Sequence, residues 1–459
     1  MTSLKQNKFI AAIFTFVLFT FTINSLLAQP SVKISGNRVT IQEGVTNEII
    51  AEINKSGAKE IAFTLQKFNS NDDLAKICKT YPNMKELEIS AGEQLTSIAP
   101  VAQLTTLTRF RLSGNSVTDF SPLSGLTGLT SLSIESSSVQ NLKWMSKLTK
   151  LTSLRIEGNN FMSGGTKFVS LEGIPSLPEL TKATFSSAKP ESLEPLKALS
   201  GLKELELRNV VIKDLTPLKQ LAKLGKLSLY GSTVKDFSPL AECPALKELE
   251  YYATEDADYS TLGKLTKIEI LDGGLTKLNN ISWTTSLPNL RKLQVFAEYI
   301  ADYSPLAKTK LEDLTIWSMR TPPDLKQLSG AVSLKRLKLW STKIAGGFEG
   351  LASLLNLEEL ILDGMNAKDG AAVDMAFVKK LVNLKKLTLN NAEITGNFND
   401  LANCAKLESV QIDSRTKGIA NLDALKKLPN LTSLQVPKGM FTEAQLQGFA
   451  NPKINIRER

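Results

Sequence analysis

The sequence predicts an α/β solenoid: a stack of short turns, each made of one strand and one tight helical return, with the strands lined up in a parallel sheet. Three observations carry this. Leucine-type residues recur every 22 to 23 residues along most of the 459-residue chain. Within each period the apolar residues fall first two apart and then three apart. The chain also has only three cysteines and no histidine, so neither a disulfide framework nor a metal cluster is available to hold it together.

The units 202–223, 224–245 and 246–267 show the period without insertions. In the first, the apolar positions are Leu202, Leu205, Leu207, Ile212, Leu215, Leu218 and Leu221. Leu205 and Leu207 are two apart and point the same way on a strand. Leu215, Leu218 and Leu221 are three apart, which suits a tight helical return with one inward stripe. A single turn cannot bury its own apolar side, whereas stacked turns share one continuous core. Counting from Met84 to Leu431 gives about 16 turns, preceded by a degenerate one near Ala58 that carries Ile61 and Phe63. Two units are longer: 151–179, which holds Gly164 and Gly165, and 357–383, where a helix is expected over 371–380. Cys243 and Cys404 stand where other turns place leucine and are read as small core residues.

Residues 1–28 are read as a secretory signal peptide. Lys5 and Lys8 precede an apolar run over 10–21, and Leu26, Leu27 and Ala28 supply a cleavage-type ending. The run is shorter than the roughly 20 residues of a spanning helix. Ala28 is not followed by cysteine, and no later run is long and apolar enough to span a bilayer, so the mature chain is expected to be secreted or otherwise extracytoplasmic, in a periplasm or on a cell surface. Without Lys5 and Lys8 the formal charge falls from +9 to +7. The lysines are spread among acids, which describes a solvated surface and not a nucleic-acid footprint. Residues 29–83 are expected to form an N-terminal cap with the degenerate turn. It would contain a hairpin of 32–34 with 39–41 about Gly36 and Asn37, and a helix over 72–81 capped by Asn71 or Asp72. The solenoid is assigned to 84–440. The C-terminal cap, 441–459, is expected to hold a helix over 442–449 and a last strand over 453–456.

After the strand, several units carry one motif: Asp119-Phe120-Ser121-Pro122, Asp214-Leu215-Thr216-Pro217, Asp236-Phe237-Ser238-Pro239 and Asp302-Tyr303-Ser304-Pro305, each followed by leucine. The proline presets the backbone of the return. With this motif, residues 58–450 resemble leucine-rich repeats, and more narrowly the 22-residue repeats of bacterial internalin-like proteins. The resemblance implies a right-handed superhelix with a concave parallel sheet, short helical or 3-10 returns on the convex side, and recognition of a partner through the concave face. The chain departs from the family pattern at offset 8, where only Asn115 and Asn159 keep the asparagine. Elsewhere that position holds Ser137, Val210, Ser232, Thr254, Thr276 or Thr342. It also lacks a cell-wall sorting motif, so surface anchoring does not carry over.

Chemistry finds little to work with. Without histidine there is no Ser-His or Cys-His pair, and no loop has phosphate-binding spacing. Glu204 with Glu206, and Glu248 with Glu250, sit about 6 to 7 Å apart on one strand face, a separation an inverting glycosidase uses. An open strand face has no pocket to raise either pKa, so no enzyme activity, cofactor or metal is expected. The outward column at offset 6 reads Arg208, Tyr230, Tyr252, Gly274, Phe296, Trp317, Trp340, Asp363, Asn390 and Asp413. In earlier turns the same column holds Ser90, Ser113, Glu135, Glu157 and Ser186. Tyr230, Tyr252, Phe296, Trp317 and Trp340 form an aromatic stripe about 24 Å long at ordinary strand spacing, flanked by Arg208, Glu248, Glu250, Lys292, Arg336 and Lys338. An aromatic row rimmed by polar groups predicts a monomeric recognition protein that binds a protein ligand of host or envelope. The alternatives are an envelope structural or adhesive protein that binds polysaccharide or itself, and rings that only stack and stiffen the sheet. Trp144 and Trp283 are assigned to convex packing.

Overall fold

The computed structural model describes residues 32–42, 44–58, 61–68, 70–136, 138–158, 171–187, 192–253, 257–274, 278–296, 299–318, 321–341, 344–365, 372–395, 398–419 and 421–459. Among them, one sheet of 20 strands runs through the chain. Its first strand, Val32–Ser35, pairs antiparallel with Arg38–Ile41, which is the expected hairpin. From there each strand pairs in parallel with the next turn's strand, ending at Asn455–Glu458. The register keeps equivalent residues side by side: Leu205, Leu227, Leu249, Leu271, Leu293, Leu314 and Leu337 are successive partners.

These leucines and their counterparts on the returns are buried in one continuous core. Each contributes roughly 1.5–3 kcal/mol by leaving water. The returns are short 3-10 helices such as Ser121–Gly125, Thr216–Gln220, Ser238–Glu242 and Ser304–Lys308, each with its proline at the first positions. The aspartate before the proline explains the rest of the motif. Asp119, Asp214, Asp236 and Asp302 each accept the backbone N–H two residues on, at 2.8 Å. Hydrogen bonds from the side chain and N–H of that residue hold the carboxyls of Asp119, Asp214 and Asp302 below the usual range. The orphan donor at the start of each return is thereby satisfied.

Side chains also stitch turn to turn. The hydroxyls of Thr108, Thr130, Thr152 and Thr181 each donate to a carbonyl of the preceding turn, at 3.0 to 3.2 Å. Asn289, Asn356, Asn383 and Asn430 do the same with their amides, at 2.8 to 3.0 Å. Asparagine bridging, mostly absent at offset 8, is carried in these turns one residue ahead of the leucine that opens the unit. At offset 8 itself, Val210 and Ser232 are buried.

Three expectations need correction. The 357–383 unit has no α-helix among its described residues. Val373–Asp374 pairs with Ile394–Thr395, and Met375–Lys380 is a 3-10 helix capped by Asp374, because the neighbouring returns stack in that geometry. The helix near the N-terminus is Asn71–Thr80 and its cap is Ser70, whose Oγ accepts from the Asp73 N–H. Asn71 is committed elsewhere, since its Oδ1 accepts from the N–H groups of Thr96 and Ser97 in the next turn. A further helix, Asn47–Lys55, precedes it. Residues 443–446 form a turn, and the rest of 442–449 is irregular. Thr442 and Gln445 make the reciprocal capping bonds of a helix start, but Gly448 takes a left-handed φ of 79° and the segment does not propagate. The segment 1–28, the Gly164–Gly165 insertion, Asn159, Ser137, Thr254, Thr276 and Thr342 lie outside the described residues.

The cysteines are free and buried. Burial pushes the Cys78 thiol up to about 12 and those of Cys243 and Cys404 to about 11, as for inert core residues. Trp283 is buried and Trp144 packs against the core. Each donates its indole N–H to the carbonyl three residues back, at 3.0 Å, so both serve the returns.

Candidate binding face

The sheet face turned away from the core carries offsets 2, 4 and 6 of every strand. Strand pairing places Tyr230 beside Tyr252, Tyr252 beside Gly274, Phe296 beside Trp317, and Trp317 beside Trp340. The rings respond by stacking. Tyr230 and Tyr252 lie 4.9 Å apart and 11° from parallel. Tyr252 meets Phe296 edge-on at 6.2 Å across the Gly274 turn. Phe296 stacks on Trp317 at 5.3 Å, and Trp317 on Trp340 at 4.1 Å. At the near end the Arg208 guanidinium lies 5.3 Å over the Tyr230 ring. The predicted stripe is thus one ladder, and its members cover each other. Tyr230, Tyr252, Phe296 and Trp317 are half-buried, while Trp340 keeps 37% exposure.

A charged network backs the tyrosine half. Lys226 Nζ donates to both Glu248 Oε1 and Glu250 Oε1 at 2.6 Å. Glu250 Oε2 also accepts from Ser228 Oγ and from the Tyr230 hydroxyl, at 2.6 and 2.9 Å. Burial opposes the charge on Glu250, but these donors outweigh it and hold the carboxyl below its usual range. The Tyr252 hydroxyl donates to Asp272 Oδ1 at 2.8 Å. Burial and then the Glu250 and Asp272 carboxylates hold the two phenols well above the usual tyrosine range, so they remain hydrogen-bond donors at any physiological pH. At the tryptophan half, Arg336 Nε donates to Asp313 Oδ2 at 2.9 Å. Lys292 and Lys338 stand on the same face and bond to no described side chain. Lys226, Ser228, Asp272 and Asp313 complete the site, although their role is not apparent from the aromatic column. Reading offsets 2 and 4 across neighbouring turns, Lys226 opposite Glu248 for example, is the signal that finds them.

The paired carboxylates are spent on such contacts. Glu248 and Glu250 share Lys226, Glu204 pairs with Lys182, and Glu206 pairs with Arg208.

The same face is different toward the N-terminus. A hollow of about 360 Å³ lies over the strands before the ladder, lined by Arg38, Arg109, Arg111 and Arg155 with Glu86 and Glu88. Ser131, Ser133 and Ser153 also line it, and their short side chains leave the space. The arginines are paired with glutamates, two of them on Glu86 and one spanning Glu88 and Glu135.

A leucine-rich-repeat protein of Leptospira interrogans overlays this chain with a TM-score of 0.53 at 18% identity, covering 91% of this chain and 100% of that one. The fold is a leucine-rich-repeat solenoid. An internalin from Listeria monocytogenes is also similar, at 21% identity over 83% of this chain and 87% of that one, with a TM-score of 0.41. No family model matches the sequence, and no curated protein does. Among the described residues, no helix of this leucine-rich-repeat chain is long and apolar enough to cross a membrane, and no group of three or more His, Cys, Asp or Glu residues could hold a metal ion.

Proposed function

We propose that this leucine-rich-repeat chain is an exported, monomeric recognition protein of the internalin-like 22-residue repeat type, and that it binds a protein ligand through the ladder Tyr230, Tyr252, Phe296, Trp317 and Trp340. The observation that carries the reading is the ladder's placement. Five large rings lie on the outward side of the sheet, where the core has no use for them, and they are held in place by one another and by the Lys226–Glu250 network. Fixed rings lose little conformational freedom on binding, and aromatic residues dominate the energetics of protein interfaces. Glu248, Glu250, Lys292, Arg336 and Lys338 would form its polar rim. Export rests on the signal-type segment 1–28, and the commitment of every paired carboxylate to a cation supports a binding role over catalysis.

The test is capture from host or envelope extracts by the full chain beside a Tyr252→Leu/Trp317→Leu/Trp340→Leu variant, which keeps apolar cover but removes three rings. A protein retained by the wild type and lost by the variant is the expected result, with Trp340→Ala alone weakening its binding by about 2 kcal/mol. Identical captures by both chains would sink the reading. Capture of polysaccharide, or ladder-dependent oligomers in sedimentation, would replace it with the adhesive or self-associating alternative.

A further inference from the structure

The ladder has two ends and they are finished differently. At the first, this chain supplies a cation of its own: Arg208 lies over the free face of Tyr230. At the second, Trp340 is covered on one face by Trp317 at 4.1 Å. Because the two indoles are only 22° from parallel, the other face of Trp340 points along the sheet toward the next turn. Among the described residues no ring or cation lies on it, and Trp340 is the most exposed ring of the ladder.

The residues that follow in register are short. Asp363 pairs with Trp340, and Asn390 with Asp363. The indole therefore stands as a wall at a step, with a carboxylate at its foot. That carboxylate is unspent. Asp363 accepts from Asn390 Nδ2 at 3.2 Å and makes no ion pair among the described residues. Asp413, next in the same column after Asn390, shows the contrast. Its oxygens accept from the Asn391 N–H, from Thr416 Oγ1 and from Arg415 Nε, at 2.7 to 2.9 Å. One acid holds a loop in place, while the other is half-buried and makes no ion pair among the described residues; Arg415, paired with Asp413, acts on it only at longer range. Burial pushes the Asp363 carboxyl up, and the Asn390 amide and the more distant Arg415 charge only partly offset it. Lys338, two residues before Trp340 on the same strand, bonds to neither group.

We propose that the outer indole face of Trp340 with the Asp363 carboxylate is the seat for an arginine side chain of the bound protein. This rests on the reading of the ladder as a protein-binding face and adds the chemistry of one contact. A guanidinium fits better than an ammonium: it is planar, it stacks on an indole, and its edge donates to a carboxylate at the same time. The ladder already accepts that group at its other end, on Tyr230.

The probe is a blocked tripeptide, Gly-Arg-Gly, titrated into the full chain while tryptophan fluorescence is followed, beside the same peptide with citrulline in place of arginine. Saturable quenching by the arginine peptide is expected, with citrulline at least about tenfold weaker, the scale of one cation–π and charge-assisted contact. Trp340→Leu, which keeps apolar cover without the π face, abolishes the arginine response. Asp363→Asn weakens it about tenfold with an unchanged circular-dichroism melt. Equal binding of the citrulline peptide, or an undiminished arginine response in Trp340→Leu, overturns the proposal. The two claims fail separately. A captured partner that the three-ring variant loses but Asp363→Asn holds at full strength removes the arginine seat and leaves the ladder. An arginine response confined to Trp340 and Asp363, with no partner lost by the three-ring variant, keeps the seat and removes the ladder as a docking face.

Discussion

Two stretches of one sheet face can be set side by side. On the strands from Glu86–Ala91 to Ser153–Glu157, the outward positions hold arginine, glutamate and serine, and the charges pair across turns around a hollow. On the strands from Lys226–Ser232 to Arg336–Ser341, the same positions hold the stacked rings and the network that fixes them. Beneath both lie the same leucine columns, pairing in the same register. Apart from Phe110 in the first stretch and Tyr251 and Gly273 in the second, which interrupt the aliphatic columns, what differs is which residues face away from the core. In this solenoid the fold is specified by one set of positions and the surface chemistry by another, so the two can vary independently.

The sharpest test of that independence is a matched pair of core truncations. Leu112 and Leu339 occupy equivalent strand positions, one in each stretch, and both are fully buried. Leu112→Ala and Leu339→Ala should each cost about 3 kcal/mol, because each removes the same methyl groups from a similarly packed site. Urea denaturation followed by circular dichroism reads this directly. A difference of more than about 2 kcal/mol between them, comparable to the whole spread seen at such sites, would show that the outward chemistry reaches into the core.

A second pair separates the faces themselves. Trp317 is covered by rings on both sides, whereas Arg111 is half-exposed and bridges Glu88 and Glu135. Removing two aromatic contacts with Trp317→Ala should cost about 1–3 kcal/mol of stability, since each stack contributes roughly 0.5–1.5. Arg111→Ala should change stability by less than about 0.5 kcal/mol, because solvent screens an exposed ion pair. Both residues face away from the core. The stacking geometry separates them. If Arg111→Ala proves as costly as Trp317→Ala, the hollow is as much a structural unit as the ladder.

That pair also shows where sequence reading stops. The period, the inward leucines and the aromatic column are legible because each depends only on which face a position takes. The degree of burial of Trp317 is not, because it depends on ring orientations set by neighbours a full turn away. The same limit explains the returns. Residues 375–380 have ordinary helix-forming character, but stacking on the returns of adjacent turns imposes the 3-10 geometry. At 442–449, a capping pair is written in the sequence and formed in the structure, yet it starts no helix. The Asp363 step is invisible in a column of letters, where Asp363 and Asp413 look alike. Only the hydrogen bonds show that one is committed and the other is not.

Gly274 offers the finest probe of the ladder. It is the one break in the run of rings, and its backbone is not in the left-handed region for which glycine is usually required. The reason for glycine is therefore space: a Cβ there would lie 2.7 Å from Tyr252 Cδ1 and 3.4 Å from Phe296 Cδ2. The Tyr252 ring leans over this position to meet Phe296 edge-on, while its hydroxyl stays on Asp272. Gly274→Ala must displace the ring. The strand itself gains roughly 0.5–1 kcal/mol from losing a glycine, and overpacking costs at least about as much, so the net change in stability should be small. The ring displacement should still be seen as a changed near-ultraviolet circular dichroism, where stacked tyrosines and tryptophans dominate, with the far-ultraviolet spectrum intact. An unchanged near-ultraviolet spectrum would mean that the rings on either side of Gly274 are two separate stacks, Tyr230 with Tyr252 and Phe296 with the tryptophans, and that the ladder spans the gap in appearance only.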